Sequence, residues 1–301
     1  MRINLISRDN DSGLSIDIAL LQAFLQSKLH AVRVVDFEAD SPPADVNIYV
    51  ELFNPKHLKT APRHVGIFNL EWFLPAWEPF LGDMTQLWAK SAKAFEWYHN
   101  RGLDQVTYTG FLSRDLYETM GSQRKVIHVA GASQHKGTAA VISAWRDHAD
   151  LLPPLTLVAR DPIEHVPGIT QWIGRISDEK LKELMNEHLF HLCPSVIEGW
   201  GHYIAEAMSC ANIVITTDAS PMNEHVLPQM GALITADVTH TRNRLDYNYV
   251  GTSQIVEAMR EICSHDDRKL HHMGADARAW WWHRQQEFHT IAGRLLEELA
   301  S

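Results

Sequence analysis

The chain has 301 residues, of which 45% are hydrophobic and 21% are charged, and its formal net charge is -10. This composition is sufficient for two ordinary folded domains and excludes a largely disordered protein. The negative charge argues against a nucleic-acid partner bound through bulk electrostatics, although a local basic patch stays open as an alternative.

No stretch reaches the roughly 18 apolar residues that a membrane-spanning helix requires. The short apolar start MRINLIS is interrupted too early for a signal peptide. Cys193, Cys210 and Cys263 are widely spaced without a CxxC pair, which favours reduced thiols in the core. We expect a cytoplasmic protein without a transmembrane segment.

The first third of the chain alternates apolar runs with helical patterns. Strand-like INLI precedes the turn DNDSG and a helical stretch from Leu14 to about Leu29, and strand-like AVRVVDF, DVNIYV and HVGIFNL follow. This alternation predicts βαβ units around a parallel sheet, with Gly13 at the passage from the first strand to the first helix.

A second βα series begins near Lys125. It opens with KVIHVA, the turn GASQHKG and a helix from Thr138 to His148. Strand-like LTLVA and TQWIG, a helix from Asp178 to Glu187, and strand-like LFHLCPS, NIVITT and ALIT follow. This series predicts a second parallel sheet with its own glycine-containing first turn.

The strand pattern breaks over residues 110–124, which places a domain boundary there. We predict one Rossmann-like domain over residues 1–116, a second over 117–284, and a C-terminal helix over 285–301 that returns to the first domain. Two such domains placed face to face leave a cleft between the carboxyl ends of their strands, where open α/β sheets bind ligands.

The stretch PSVIEGWGHYIAEAMS combines several features of a binding site. LFHLCPS predicts a buried strand, VIEGWG its exit loop, and the next helix begins at about His202. Gly199 and Gly201 allow a ligand close to the main chain, and the helix start offers donors to anionic oxygens. Glu198 in the loop and Glu206 one turn into the helix can both accept from sugar hydroxyls.

The string CPSVIEGWGHYIAEAMSCANIVITTDASPMNE closely resembles the signature P-S-x-x-E-G-F/W-G-x-x-x-x-E-A-M-A-C-G-x-P-V-I-x-S-D of the retaining GT-B glycosyltransferases of the large fourth family, the glycosyl transferases group 1. HVAGASQHKGTAAVISAW, IGRISDEKLKELMNEHLFHLCPS and ARAWWWHRQQEFHTIAGRLLEEL are similar to other parts of that family. The resemblance implies an α/β protein of the GT-B fold, with two Rossmann-like domains facing each other across a cleft.

The resemblance also implies an activity. It implies a retaining hexosyltransferase that moves a hexose from a nucleotide diphosphate sugar, most often a UDP-sugar, to a hydroxyl of a saccharide, glycolipid or other acceptor. Residues 1–116 would form the acceptor domain and residues 117–284 the nucleotide-sugar domain. The nucleotide sugar is a substrate, and neither a cofactor nor a metal ion is expected. A nucleic-acid acceptor is disfavoured by the acidic balance but stays open.

The resemblance assigns roles to residues that match the signature. Glu206 would hold the ribose hydroxyls, Glu198 would contact the donor sugar near its reacting carbon, and Lys136 would neutralise the diphosphate leaving group. The other donor-binding candidates in the matching loops are Gly13, Gly131, Ser133, Gly199, Trp200, Gly201 and His202.

Two departures from the family affect these roles. An arginine usually follows the glycine of the first loop, whereas here Gly131 is followed by Ala132 and Ser133, so Arg160 or Arg175 is a candidate second phosphate ligand.

The N-terminal domain of the family often supplies a histidine near the reacting sugar, and this sequence has no matching one. Glu71 in NLEWF, at the end of a predicted strand, is the candidate there for contacting donor or acceptor. His188 and His191 are close in sequence, but we interpret them as core or strand-edge histidines rather than metal ligands.

Two other functions stay open. The altered glycine loop and the missing histidine are compatible with a sugar-nucleotide binding or regulatory module without transfer activity, while Glu198, Glu206 and Lys136 oppose it. An epimerase or a phosphorylase on the same fold is the third alternative.

Overall fold

The computed structural model describes residues 1–10, 13–131, 133–242 and 245–301. The chain divides into two compact units. The first unit contains Met1–Ser113 and His283–Ser301, and the second contains Arg114–Trp282. Each unit has its own six-stranded parallel sheet and its own buried apolar core, which confirms the predicted α/β class.

The first unit is built on a sheet whose four central strands are largely buried on both faces, as expected for a parallel sheet covered by other elements. Its elements are β1 (Arg2–Ser7), α1 (Gly13–Ser27), β2 (Ala31–Asp36), β3 (Val46–Val50), β4 (Arg63–Ile67), β5 (Gln86–Ala89), α2 (Ala92–His99) and β6 (Val106–Tyr108). Short 3-10 turns occupy Pro55–Lys59, Leu70–Trp72 and Pro75–Asp83. The strand order is β2-β1-β3-β4-β5-β6. The sequence pattern predicts β1 to β4 and α1 but does not reveal β5, α2 or β6.

The second unit repeats this architecture. Its elements are β7 (Gln123–Gly131), α3 (Thr138–His148), β8 (Leu155–Ala159), β9 (Ile169–Ile173), α4 (Asp178–Glu187), β10 (His188–Cys193), α5 (His202–Ser209), β11 (Ile213–Thr217), α6 (Met222–His225), β12 (Gly231–Ile234), β13 (Val238–Arg242), β14 (Leu245–Tyr249) and α7 (Thr252–Cys263). The strand order is β12-β11-β10-β7-β8-β9, and β13 and β14 form a separate antiparallel pair.

The last helix, α8 (Asp267–Ala300), begins earlier than the predicted ARAWWW segment. Asp266 explains the earlier start, because its side chain accepts from Lys269 N at 2.7 Å and caps the first turn. Gly274 inside the helix allows a close approach, since a Cβ there would lie 2.1 Å from Ala211 O. The residues from His283 onward group with the first unit.

Both sheets reverse their strand order next to their first strand. In the first unit β1 lies between β2 and β3, and in the second unit β7 lies between β8 and β10. Ligands of open α/β sheets bind outside the carboxyl ends of the strands at such a switch point. The loops that follow β7 and β10 carry Lys136 and Glu198, so the topology brings these two candidates to one switch point.

All three cysteines are free thiols, and burial raises the pKa of Cys210 to about 12. Within the described ranges, none of the helices combines the length and the apolar character needed to cross a bilayer.

Candidate functional site

The loop between β7 and α3 is fixed against the loop that follows β10. Gly137 caps α3 with a φ of 69°, and a Cβ there would lie 2.2 Å from Pro194 O. Only glycine tolerates both this conformation and this approach. Val196 N also donates to His135 O at 2.7 Å. Lys136, between His135 and Gly137, is thereby held in a defined position.

Lys136 and Glu198 form an ion pair, with Nζ 2.6 Å from Oε1 and side chains that stay 17% and 14% exposed. Ser195 Oγ donates to the same carboxylate oxygen at 2.6 Å and is also hydrogen bonded to the Tyr203 hydroxyl. The Lys136 ammonium lies 3.6 Å from the centre of the Tyr203 ring. The site therefore holds a cation and a carboxylate rigidly while leaving both partly accessible.

The helix α5 starts at His202, as the sequence predicts, and Gly201 precedes it with a φ of 93°. Trp200 is buried, and its ring packs edge-on against His225 with centroids 4.4 Å apart. His225 Nε2 lies 2.6 Å from Trp200 O, to which its N–H donates. Gly199 and His202 are half-buried on either side of this contact. The loop is therefore a packed corner, with a helix N-terminus that favours anionic ligands.

Glu206 is almost fully buried and forms a second ion pair, which the sequence reasoning misses. Its Oε1 lies 2.6 Å from Arg114 Nε, and Arg114 Nη1 lies 3.4 Å from Asp178 Oδ1. Burial of Arg114 lowers its pKa, but the hydrogen bonds and charges of Glu206 and Asp178 outweigh this and raise the pKa overall. Arg114 lies 92 positions before Glu206, and no local pattern marks it. Glu198 and Glu206 thus pair with different cations.

The structure separates the two arginine candidates by strand position. Arg160 follows β8, the strand next to β7, and its backbone N–H donates to Gly131 O at 3.2 Å. Arg175 follows β9, one strand further away, and both arginines are exposed. Ser133 Oγ accepts from His135 N at 3.2 Å. Arg160 is thus the arginine whose backbone adjoins the first loop, whereas Ala132 lies outside the described residues.

Two candidates belong to the first unit. Gly13 is the first residue of α1, and Glu71 is half-buried in the 3-10 turn Leu70–Trp72 that follows β4. All other predicted site residues belong to the second unit. The roles assigned to the site residues of both units stay predictions.

A buried histidine in β7 links β10 to the start of α3, next to the loop that carries Lys136. His128 in β7 donates from Nδ1 to Leu192 O at 2.8 Å, and its Nε2 accepts from Thr138 Oγ1 at 2.9 Å. Burial lowers the pKa of His128 to about 4, with a smaller contribution from the positive charge of Lys136, although the hydrogen bond to Leu192 O acts in the opposite direction. His128 is therefore neutral at physiological pH and serves as a hydrogen-bonding strut.

The two histidines of β10 are also buried. His191 Nε2 lies 2.9 Å from Met185 O, and His188 Nδ1 lies 2.6 Å from Leu184 O. Burial lowers the pKa of His191 to about 4. Across the ranges that the structure describes, no cluster of three or more histidine, cysteine, aspartate or glutamate residues is arranged to hold a metal ion.

Comparison with known proteins agrees with the topology and with the loop that carries Glu198. Residues 164–242 match the sequence model of the family described as Glycosyl transferases group 1. This segment includes β10, the loop that carries Glu198, and α5. No curated protein sequence matches the chain.

Several solved structures share the whole fold. HepE from Anabaena, in complex with UDP and glucose, has a TM-score of 0.70 and 16% identity, with 99% of this chain and 100% of that chain covered. Sucrose-phosphate synthase from Thermosynechococcus elongatus has a TM-score of 0.73 and 15% identity, with 100% of both chains covered. The pneumococcal O-GlcNAc transferase GtfA, in complex with UDP and GlcNAc, has a TM-score of 0.66 and 12% identity, with 93% of this chain and 60% of that chain covered.

These similar structures are GT-B glycosyltransferases, so the predicted GT-B fold is confirmed. The match over residues 164–242 confirms the resemblance that the sequence signature indicates. Fold and family match together support a glycosyltransferase.

Proposed function

We propose that the protein is a retaining glycosyltransferase that transfers a hexosyl group from a UDP-sugar to a hydroxyl of a saccharide, glycolipid or other acceptor. The observation that carries this proposal is the partly exposed Lys136–Glu198 pair at the switch point between β7 and β10, beside the start of α5. A nucleoside diphosphate supplies the anionic oxygens that a cation and a helix N-terminus bind. The similar structures of HepE and GtfA are complexes with UDP, which agrees with this donor.

In the proposed reaction, the bond between the sugar C1 and the diphosphate oxygen breaks while the acceptor oxygen bonds to C1 on the same face. Because the new bond forms on the face that the diphosphate leaves, the configuration at C1 is retained. The proton of the acceptor hydroxyl passes to an oxygen of the leaving diphosphate. Lys136 would stabilise the negative charge that builds on the diphosphate, where preorganised charges lower the barrier most. Lys136 would provide this stabilisation without a cofactor or a metal ion.

The two glutamates would have separate roles in donor binding. Glu198, held by Ser195, would accept hydrogen bonds from hydroxyls of the donor sugar. Glu206 would hold the ribose hydroxyls through Oε2 while Oε1 stays bonded to Arg114. Arg114 would thereby orient the carboxylate that faces the ribose.

The test is to incubate the protein with UDP-, GDP- and ADP-sugars in the presence of mixed saccharides and to measure the released nucleoside diphosphate. We expect release from a UDP-sugar, and a product whose anomeric configuration by NMR equals that of the donor. Inverted product would contradict the retaining mechanism, and absence of release from every donor would contradict transfer.

A sugar-nucleotide binding module is the second candidate. The lack of an arginine directly after Gly131, together with the engagement of Glu206 by Arg114, favours it. Binding of UDP without turnover of any UDP-sugar would support the module. Interconversion of donors without an acceptor, or turnover that depends on inorganic phosphate, would instead indicate an epimerase or a phosphorylase.

A further inference from the structure

The first unit contains a backbone conformation that the proposed donor site does not explain. Glu51, directly after β3, has a φ of 64°, in the left-handed region that favours glycine. Over the described ranges, the other non-glycine residues with positive φ are Leu29 and Ala211, which lie just beyond the ends of α1 and α5. Left-handed residues are ordinary at helix ends, so Glu51 is the exception.

The turn at Glu51 is held by hydrogen bonds on both sides. Leu52 N donates to Val50 O at 2.7 Å, which closes a three-residue γ-turn centred on Glu51, and the form with positive φ is rare and strained. Ser7 Oγ donates to Val50 O at 2.8 Å, and Glu51 N donates to Ile67 O at 2.8 Å. Strain of this kind persists only where the surroundings enforce it, and it clusters at functional sites.

The Glu51 side chain is oriented by an asparagine from the next strand of the sheet. Asn69, which follows β4, donates from Nδ2 to Glu51 Oε2 at 3.2 Å. Asn69 Oδ1 is buried and has no hydrogen-bond partner within the described ranges. Burial raises the pKa of Glu51, and the positive charge of Lys90 acts in the opposite direction. Glu51 and Asn69 thus place hydrogen-bond-accepting oxygens at one edge of the sheet.

An ion-pair role does not explain a glutamate at this position. The neighbouring cation, Lys90, lies 2.5 Å from Asp17 Oδ2, and both side chains are almost fully buried. The Lys90 ammonium also lies 4.4 Å from the centre of the Phe111 ring. Lys90 is therefore neutralised by Asp17, and Glu51 is not needed for that purpose.

The position of Glu51 in the sheet indicates a ligand site. β1 and β3 are the two strands at the switch point of the first sheet, and Glu51 is the first residue beyond β3. In the second sheet, the equivalent switch point lies between β7 and β10 and carries Lys136 and Glu198. The same topology thus places a carboxylate after the crossing strand in both units.

We propose that Glu51 and Asn69 form the acceptor-binding site of the protein, with the Glu51 carboxylate accepting a hydrogen bond from a hydroxyl of a saccharide or polyol. This inference rests on the proposed transferase function. Carboxylate and amide oxygens both accept hydrogen bonds from hydroxyl groups. A partly desolvated carboxylate also disfavours acceptor substrates that leave it without a hydrogen bond.

The substitution Glu51→Gly tests the site, because glycine removes the carboxylate and relieves the strained φ. We expect a Tm above that of Glu51→Ala, which keeps a Cβ in the strained conformation. We also expect unchanged binding of UDP by calorimetry. The probe reaction is release of UDP from UDP-glucose, with and without a panel of glucose, N-acetylglucosamine and glycerol. The stimulation by the panel should fall about tenfold or more in both variants.

The control is Leu29→Gly, which relieves a positive φ at a 93% exposed residue beyond α1. It should keep full stimulated release. Stimulated release that survives in Glu51→Gly, a Tm of Glu51→Gly below that of Glu51→Ala, or a wild-type protein that the panel does not stimulate would each overturn this inference. Failure of the wild-type protein to bind UDP would instead remove the proposed transferase function beneath it.

Discussion

The carboxyl edges of the two sheets each hold a lysine–carboxylate pair, but the two pairs differ in exposure. Lys136 and Glu198 in the second unit stay 17% and 14% exposed. Lys90 and Asp17 in the first unit are only 1% and 4% exposed. An accessible pair can exchange its protein partner for a ligand oxygen, whereas removing one member of a buried pair leaves an uncompensated charge in the core. We therefore expect the Lys136–Glu198 pair to control activity and the Lys90–Asp17 pair to control folding.

The largest expected effect on stability comes from Asp17→Ala. It leaves the Lys90 ammonium buried without its carboxylate, and the free energy of unfolding should fall by about 3–5 kcal/mol. Urea denaturation measures this loss. The double variant Asp17→Leu with Lys90→Met, which removes both charges, should regain most of it. A single variant as stable as the wild type would remove the contrast between the two edges.

The largest expected effect on activity comes from Lys136→Met, which keeps the apolar stem and removes the cation. The kcat for UDP release should fall about 10²–10³-fold, because the leaving diphosphate loses its main stabilising charge. The free energy of unfolding should fall by less than in Asp17→Ala, since solvent still reaches the Glu198 carboxylate that loses its partner. Initial rates and urea denaturation measure the two quantities.

Lys125→Met is the matched control for Lys136. Lys125 lies near the other end of β7 and forms an ion pair with Glu187 at 2.7 Å. Its removal should leave kcat unchanged. Equal loss of activity in the two variants would show that general electrostatics, and not the position at the switch point, explains the effect.

The edge of the second sheet is readable from sequence because its determinants are local. GASQHKG and VIEGWG each contain the charged residue, the glycines and the following helix start within a few positions. The edge of the first sheet is assembled from Asp17, Glu51, Asn69 and Lys90, which follow different strands and have no glycine beside them. Contacts between residues so far apart in sequence have no period or spacing that a single sequence reveals. The contact between Arg114 and Glu206 is hidden for the same reason.

Short strands escape the sequence pattern for a related reason. β5 has only four residues and follows a segment rich in proline and aromatic residues, so neither alternation nor length identifies it. Its place between β4 and β6 is fixed by tertiary contacts. Trp88 in this strand is fully buried, and its Nε1 donates to Gln86 Oε1 at 3.0 Å.

The pH dependence of stability tests the support beneath the Lys136 loop. The pKa of His128 is about 4 in the folded protein and 6.5 ordinarily, so below pH 6.5 the unfolded chain binds a proton that the folded chain does not. The contribution of His128 to the free energy of unfolding should be constant above pH 6.5. It should decrease from pH 6.5 towards pH 4, by on the order of 3 kcal/mol.

Urea denaturation of the wild type and of His128→Gln at pH 7.5 and pH 4.5 isolates this contribution. The buried His191 is present in both proteins, so its own titration cancels in the comparison. We expect a smaller decrease in the variant. The same decrease in both proteins would show that His128 is not kept neutral by burial.

The smallest effect is expected for Glu206→Gln, which keeps the shape of the side chain and removes its charge. The Kd for UDP should rise about tenfold, because the ribose hydroxyls lose a charged hydrogen-bond acceptor and Arg114 loses its anionic partner. Calorimetry measures the Kd. Glu183→Gln, which removes a half-exposed partner of Lys180, serves as the control and should leave it unchanged.

Titration of the wild-type protein and of Lys136→Met with UDP in a calorimeter is the most direct test of the account. We predict binding to one site in the wild-type protein and a clearly weaker affinity in the variant, while Lys125→Met binds as the wild type does. Absence of binding heat with UDP, GDP and ADP, or equal affinity of wild type and Lys136→Met, would contradict the assignment of the β7–β10 switch point as the donor site.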